Sequence, residues 1–130
     1  MKREDIAARV KEFPWDRGEY WVITGAAMVL YGIREETHDI DMGCTKALAD
    51  RLEEEGHLHR ITPDGNRWFK LGDDVEVFEN WLYDDVVRID GIPVVSVPGL
   101  LEMKRRLGRE KDLRDIARIE SFLKNAGHTL

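Results

Sequence analysis

Residues 20–43 read YWVITGAAMVLYGIREETHDIDMG, and the reading of this stretch decides the fold. Residues 20–24 are aromatic and β-branched and end at Gly25, which predicts a short buried strand. Residues 26–31 suit a short helix that Gly32 stops. A polar link follows, and a second strand is expected over 39–42, closed by Gly43. A strand-to-helix junction such as Thr24-Gly25-Ala26 presents free backbone N–H groups and a positive helix end, which suit an anion. Gly25 would let a phosphate approach the backbone closely. The plainer reading of an isolated glycine here is a turn that needs one.

Outward from this stretch, Ile6, Ala7, Val10 and Phe13 recur at helical spacing, so residues 2–13 are expected as an amphipathic helix ended by Pro14. Thr45 caps an expected helix over 46–55 whose apolar face is Ala47, Leu48 and Leu52. Strands are expected over 57–62 and 67–71 about the turn Pro63-Asp64-Gly65-Asn66, and over 75–78. Asp90-Gly91 is the strongest hairpin signal, with strands over 86–89 and 92–95. Ser96 caps a helix through Leu107 that Gly108 ends, and Leu113, Ile116, Ala117, Ile119 and Leu123 mark a last helix. This order gives a mixed α/β fold, a sheet of about five strands covered by helices. With 130 residues, a single domain over 1–130 is expected.

Composition narrows the function classes. The first residues are charged rather than signal-like, and no stretch approaches the roughly 18 to 20 apolar residues of a membrane span. The lone Cys44 excludes an internal disulfide framework and a cysteine-based zinc cluster. A soluble, cytoplasmic protein is the expectation. The net charge of −6 argues against long nucleic acid as partner, because phosphate neutralisation supplies most of such affinity. The dense basic region is late, at Lys104, Arg105, Arg106, Arg109 and Lys111. On charge alone it reads as a solvated helix face.

With 26 acidic residues in 130, roughly five acid-x-acid pairs arise by chance, so a bare Asp-x-Asp is weak. Glu53/Glu55, Asp74/Glu76 and Glu110/Asp112 are others. Asp39 and Asp41 differ in setting, since Ile40 between them and Met42 after them place the pair on an apolar strand. Side chains two apart share a face at about 6.6–7 Å. Two charges so placed repel by ~2–3 kcal/mol at an effective dielectric of about 20. A divalent cation answers that repulsion, and an all-oxygen donor set favours Mg²⁺ completed by substrate phosphates. Glu76, between Val75 and Val77, either faces solvent or points into the same site.

At this point the sequence resembles the nucleotidyltransferase superfamily, on Thr24-Gly25-Ala26-Ala27, Tyr31-Gly32-Ile33-Arg34, Thr37 and Asp39-Ile40-Asp41. It looks most like the small bacterial AbiEii-like and lincosamide-type (minimal) enzymes, with Lys104, Arg109-Glu110-Lys111-Asp112 and Asp115 matching their C-terminal pattern. The resemblance spans roughly residues 20–123. It implies a nucleotidyltransferase-like mixed sheet flanked by helices, and transfer of a nucleoside monophosphate from a nucleoside triphosphate to a hydroxyl acceptor. It further implies Asp39, Asp41 and Glu76 as catalytic metal ligands, two Mg²⁺ ions, and Thr24, Gly25, Ala26, Arg34, Lys104, Arg109 and Lys111 about the nucleotide. Ala26 departs from the family's usual Gly or Ser, and Glu76 from its commoner Asp. The alternative expectation is a weak or inactive binding module, for example a toxin–antitoxin component, with a protein partner or a homodimer.

Among the remaining residues, Arg34 either clamps phosphate or pairs with Glu35, Glu36 or Asp39. His38 is expected at the surface or behind the ligands, and His57, His59 and His128 lack paired metal-ligand spacing. Cys44 reads as a packed thiol. Trp15, Trp21, Trp68 and Trp81 are expected in the core or lining a cleft.

Overall fold

A computed structural model describes residues 1–126, so His128 lies outside the described residues. Seven strands form one mixed sheet: β1 (Tyr20–Ile23), β2 (Ile40–Cys44), β3 (His59–Ile61), β4 (Arg67–Leu71), β5 (Val75–Glu79), β6 (Val86–Ile89) and β7 (Ile92–Val95). Their order is β3-β4-β5-β2-β1-β7-β6. β2 runs parallel to β5 and β1 parallel to β7, and every other pairing is antiparallel. The expectation of about five strands is thus corrected to seven. Both turn-flanked hairpins join the sheet that β1 and β2 begin, one at each edge, instead of folding back separately.

Among the described residues, five helices accompany it: α1 (Arg3–Lys11), α2 (Thr24–Leu30), α3 (Lys46–Glu54), α4 (Val97–Leu107) and α5 (Glu110–Asn125). The caps act as the sequence predicts. The Thr45 hydroxyl accepts from the Leu48 N–H, the Ser96 hydroxyl accepts from the Gly99 N–H, and Gly108 closes α4. Asp90 and Gly91 both take positive φ, at 50° and 80°, as a two-residue hairpin turn of right-handed strands requires.

Three expectations need correction. Thr24 does not extend β1 but opens α2, two residues earlier than expected, with φ at 50°. Ala47 is exposed and Ala49 takes the core position on α3, because the helix phase set by Leu48 and Leu52 selects it. Leu113 is exposed on α5, whose packed positions include Ile119 and Leu123.

The sheet's two faces have different fates. Ile40, Met42 and Cys44 of β2, Val75 and Val77 of β5 and Phe69 of β4 are fully buried and share one face. Residues at the alternate positions, Asp41, Glu76, Phe78 and Trp68, are only half-buried. That half-open face carries the candidate site. Among the described residues, no helix is long and apolar enough to cross a membrane.

Candidate active site

The site is a cleft of about 1660 Å³ whose lining includes Asp39, Asp41 and Glu76 from the sheet region and basic residues of α5. The β2–β5 register sets Asp41 directly beside Glu76. Asp39 sits one residue before β2, at the strand's mouth. Each of the three offers a carboxylate oxygen, and these oxygens lie within 4.8 Å of one another. Alternation on β5 left Glu76 two directions, and it takes the one toward the aspartates.

Asp41 is the tightest of the three. Its Oδ2 accepts a hydrogen bond from Thr24 Oγ1 at 2.7 Å, while its Oδ1 is buried without a partner among the described residues. Burial pushes its carboxyl up to about 7, the Thr24 hydrogen bond opposes this, and the charges of Asp39 and Glu76 add to it. A buried carboxylate oxygen with no hydrogen-bond partner among the described residues, beside two other carboxylates, is a donor set that could hold a divalent cation. All-oxygen ligands of this kind fit Mg²⁺. Thr24 pays for its contact in backbone strain, since a β-branched residue seldom adopts positive φ.

Glu76 has its own donor. Trp68, on β4 opposite Phe78, sends Nε1–H to Glu76 Oε1 at 3.2 Å. The sequence left the tryptophans unassigned, and only the β4–β5 register reveals this contact. Trp21 is buried, Trp15 packs near Phe13 and Tyr20, and Trp68 and Trp81 line the cleft.

Gly25 is required by close approach. A Cβ there would lie 2.7 Å from Thr37 Oγ1 and 3.2 Å from Arg34 Nη1, so the link after α2 folds back onto the turn. Thr24 and Gly25 line the cleft. Ala26 is fully buried in the core, so its side chain faces away from the site. Arg34 lines the cleft, and its Nη1 lies 3.9 Å from Asp115 of α5. Its acidic neighbour is thus Asp115, in place of the sequence-adjacent acids.

The late basic segment divides. Lys104 is buried, contrary to a solvated face, and its Nζ holds Asp112 at 3.2 Å and Asp115 at 3.1 Å. Arg109 grips Asp112 through Nε at 2.6 Å and Nη2 at 3.1 Å. Burial would raise the Asp112 carboxyl, but the bonds from Arg109 and Lys104 outweigh it and hold it down at about 2. Arg105 and Arg106 are exposed and pair with Glu120 and Glu102. Lys111 is exposed and lines the cleft, with Arg114 and Arg118 beside it. Those two arginines were missed in the sequence, although 111, 114 and 118 fall at helical spacing, the signal that could have found them.

Other residues fall as expected or aside. Cys44 is buried, and burial foremost pushes its thiol up to about 12. His38 is exposed at the cleft edge. His57 is exposed, and His59 contacts Glu53 at 3.5 Å, remote in chain order from the carboxylates.

No family model matches the chain, and no curated protein matches it. Among solved structures, it resembles the crystal structure of a "putative nucleotidyltransferase" from Thermotoga maritima, with a TM-score of 0.56 and 16% identity over 94% of this chain and 90% of that one. At that identity the likeness is one of fold: the chain has the mixed sheet and helix arrangement of that protein.

Proposed function

We propose that the chain is a metal-dependent nucleotidyltransferase, moving a nucleoside monophosphate from a nucleoside triphosphate to a hydroxyl acceptor. The observation that carries this is the Asp39–Asp41–Glu76 cluster with its orphaned Asp41 oxygen, in one cleft with the basic residues of α5. The fold likeness supports the same reading.

The residues divide the work by their placement. Asp39, Asp41 and Glu76 would hold Mg²⁺, two ions in the fullest case, which when bound supplies charge neutralisation at the reacting phosphate. Thr24 fixes the Asp41 rotamer and Trp68 fixes that of Glu76, so neither carboxylate reorients when substrate arrives. Gly25 lets Thr37 and Arg34 close onto the turn, where Arg34 supplies positive charge, and Lys111, Arg114 and Arg118 supply it from α5. Lys104 and Arg109 act through Asp112 and Asp115, holding α4 and α5 in register so that these cations stay in place. Glu76 would help hold the second metal or act as base for the acceptor hydroxyl.

Ala26 gives no argument for lost turnover, because a side chain buried in the core makes no phosphate contact in any case. The AbiEii-like, lincosamide-type branch rests on the sequence resemblance at Arg34, Thr37, Lys104, Arg109–Asp112 and Asp115. The test is release of pyrophosphate from each of the four nucleoside triphosphates with Mg²⁺ and a mixed acceptor pool. Release by wild type that is lost in Asp39→Asn bears out the reading. Equal release by both, or none by wild type together with no nucleotide binding, removes it.

A further inference from the structure

Among the described residues, β3 and β6 end the sheet, each with one side unpaired. An open edge presents a row of free backbone N–H and C=O groups, a template for another strand. On β6 the side chains are open too, with Val86 and Val87 39% and 37% exposed. The hairpin decides which backbone groups face outward, because N–H and C=O groups turn to alternate sides residue by residue. The Ser96 N–H donates to the Asp85 carbonyl, so Asp85, Val87 and Ile89 turn toward β7. Val86 and Arg88 therefore offer their N–H and C=O groups to the open side.

The same edge carries charge that its own chain leaves unmatched. Among the described residues, the side-chain bond of Arg88 goes to the Gly91 carbonyl, at 3.3 Å, and not to a carboxylate. Asp84 is exposed and accepts from Ser96 Oγ. Alternation puts Asp84, Val86 and Arg88 on one face. It is the face of the first turn of α4: a Cβ on Gly99 would lie 2.9 Å from Asp84 Cβ and 2.8 Å from Val95 Cγ2, and Val95 stands opposite Val86.

A second copy matches this edge in one register. Antiparallel pairing about a twofold axis normal to the sheet sets one residue against its own twin and opposes residues at equal steps on either side. Centred on Val86, the outward groups of the two valines exchange hydrogen bonds. Arg88 of each copy then stands opposite Asp84 of the other, an opposite-charge pair on both sides of the axis. Centred on Val87, the pairing opposes Asp84 and Asp90, two acids. Centred on Arg88, it opposes two guanidinium groups. β3 offers no such match, since residues 57–61 include Arg60 and no acid.

We propose that β6 is a dimerisation edge whose partner is a second copy of this chain, joined antiparallel about Val86 with Arg88 and Asp84 paired across the axis. This stands independently of the transfer reading. A twofold axis normal to the sheet keeps like faces together, so the half-open faces of both copies look to the same side. The strand has 4 residues, which places the contact among small, transient interfaces, with a Kd of roughly 1–100 μM.

Sedimentation equilibrium from about 5 to 500 μM tests this on wild type, Val86→Pro and Arg88→Glu, with circular dichroism as the check on folding. Wild type should dimerise. Val86→Pro removes an N–H that faces outward and leaves the β6–β7 ladder its bonds, so it should stay folded and monomeric. Arg88→Glu should weaken the dimer about tenfold or more. Amide exchange followed by NMR reads which edge pairs: the Val86 and Arg88 amides should slow as concentration rises, and those of His59 and Ile61 should not. Wild type that stays monomeric throughout overturns the proposal, as does a dimer that either folded variant leaves intact, an assembly larger than a dimer, or slowing at β3. If Val86→Pro does not fold, Arg88→Glu decides alone.

Discussion

Asp41→Asn should make the metal-free protein more stable while abolishing its response to Mg²⁺. The Asp41 carboxyl stands at about 7 in the folded protein against 3.8 ordinarily. Between those values the folded state keeps a proton that the unfolded state has lost, so stability falls as pH rises through the window and the loss is complete above 7. A displacement of about three pH units corresponds to ~4 kcal/mol. Asparagine still accepts from Thr24 through its amide oxygen and offers its NH₂ to Asp39 or Glu76, though it must itself be desolvated. The expected net gain at pH 8 in EDTA is about 2–4 kcal/mol, or roughly 8–15 °C in Tm for a chain of this size. At pH 4 the two proteins should converge. Saturating Mg²⁺ should raise the wild type, by about 1.4 kcal/mol at ten times its Kd, and leave the variant unmoved. Thermal and urea unfolding at pH 4, 6 and 8, with EDTA or Mg²⁺, read all of this. An Asp41→Asn protein less stable than wild type at pH 8 in EDTA would refute the reasoning, as would a gap that widens toward pH 4.

Gly25→Ala should displace Thr37 and Arg34, because the new Cβ would stand 2.7 Å from Thr37 Oγ1; a cost of about 1–3 kcal/mol in urea unfolding and weaker triphosphate binding by calorimetry are expected. Trp68→Phe keeps a ring but removes the donor to Glu76, so kcat should fall by roughly 5- to 30-fold with KM for the triphosphate little changed, measured as pyrophosphate release. Asp112→Ala removes one of the two carboxylates on buried Lys104, leaving Asp115, and also the acceptor of Arg109, and should cost about 2–3 kcal/mol in urea unfolding. In wild type, the stabilisation from Asp112 should persist above pH 3.8 and be lost as pH falls through about 2, which an acid titration followed by circular dichroism tests against Asp112→Asn.

Much of the fold was legible because its signals are local. The Asp90-Gly91 turn, the Thr45 and Ser96 caps and the apolar run of β1 each declare themselves within a few residues, and β4, β6 and β7 fall where the sequence places them. The carboxylate pair was legible too, though only its setting separated it from chance pairs. What escaped depends on pairing between distant segments. The direction of Glu76 follows from the β2–β5 register, and the Trp68 contact from the β4–β5 register. Strand number was underestimated because two edge hairpins show nothing in sequence of the sheet they join. Lys104 misled in another way: a lysine among arginines reads as surface, and only the fold-back of α5 brings Asp112 and Asp115 onto it. Thr24 misled because its β-branched side chain suits a strand, while its contact with Asp41 holds it in a left-handed turn.

The central claim is that Asp39, Asp41 and Glu76 hold a metal that recruits a nucleoside triphosphate to this cleft. Calorimetric titration with a non-hydrolysable triphosphate, with and without Mg²⁺, tests it most directly in wild type and Asp39→Asn. The account predicts binding by wild type only when Mg²⁺ is present, and its loss in the variant. Binding that survives both EDTA and Asp39→Asn, or no binding to wild type by any of the four bases at millimolar concentration, would contradict it.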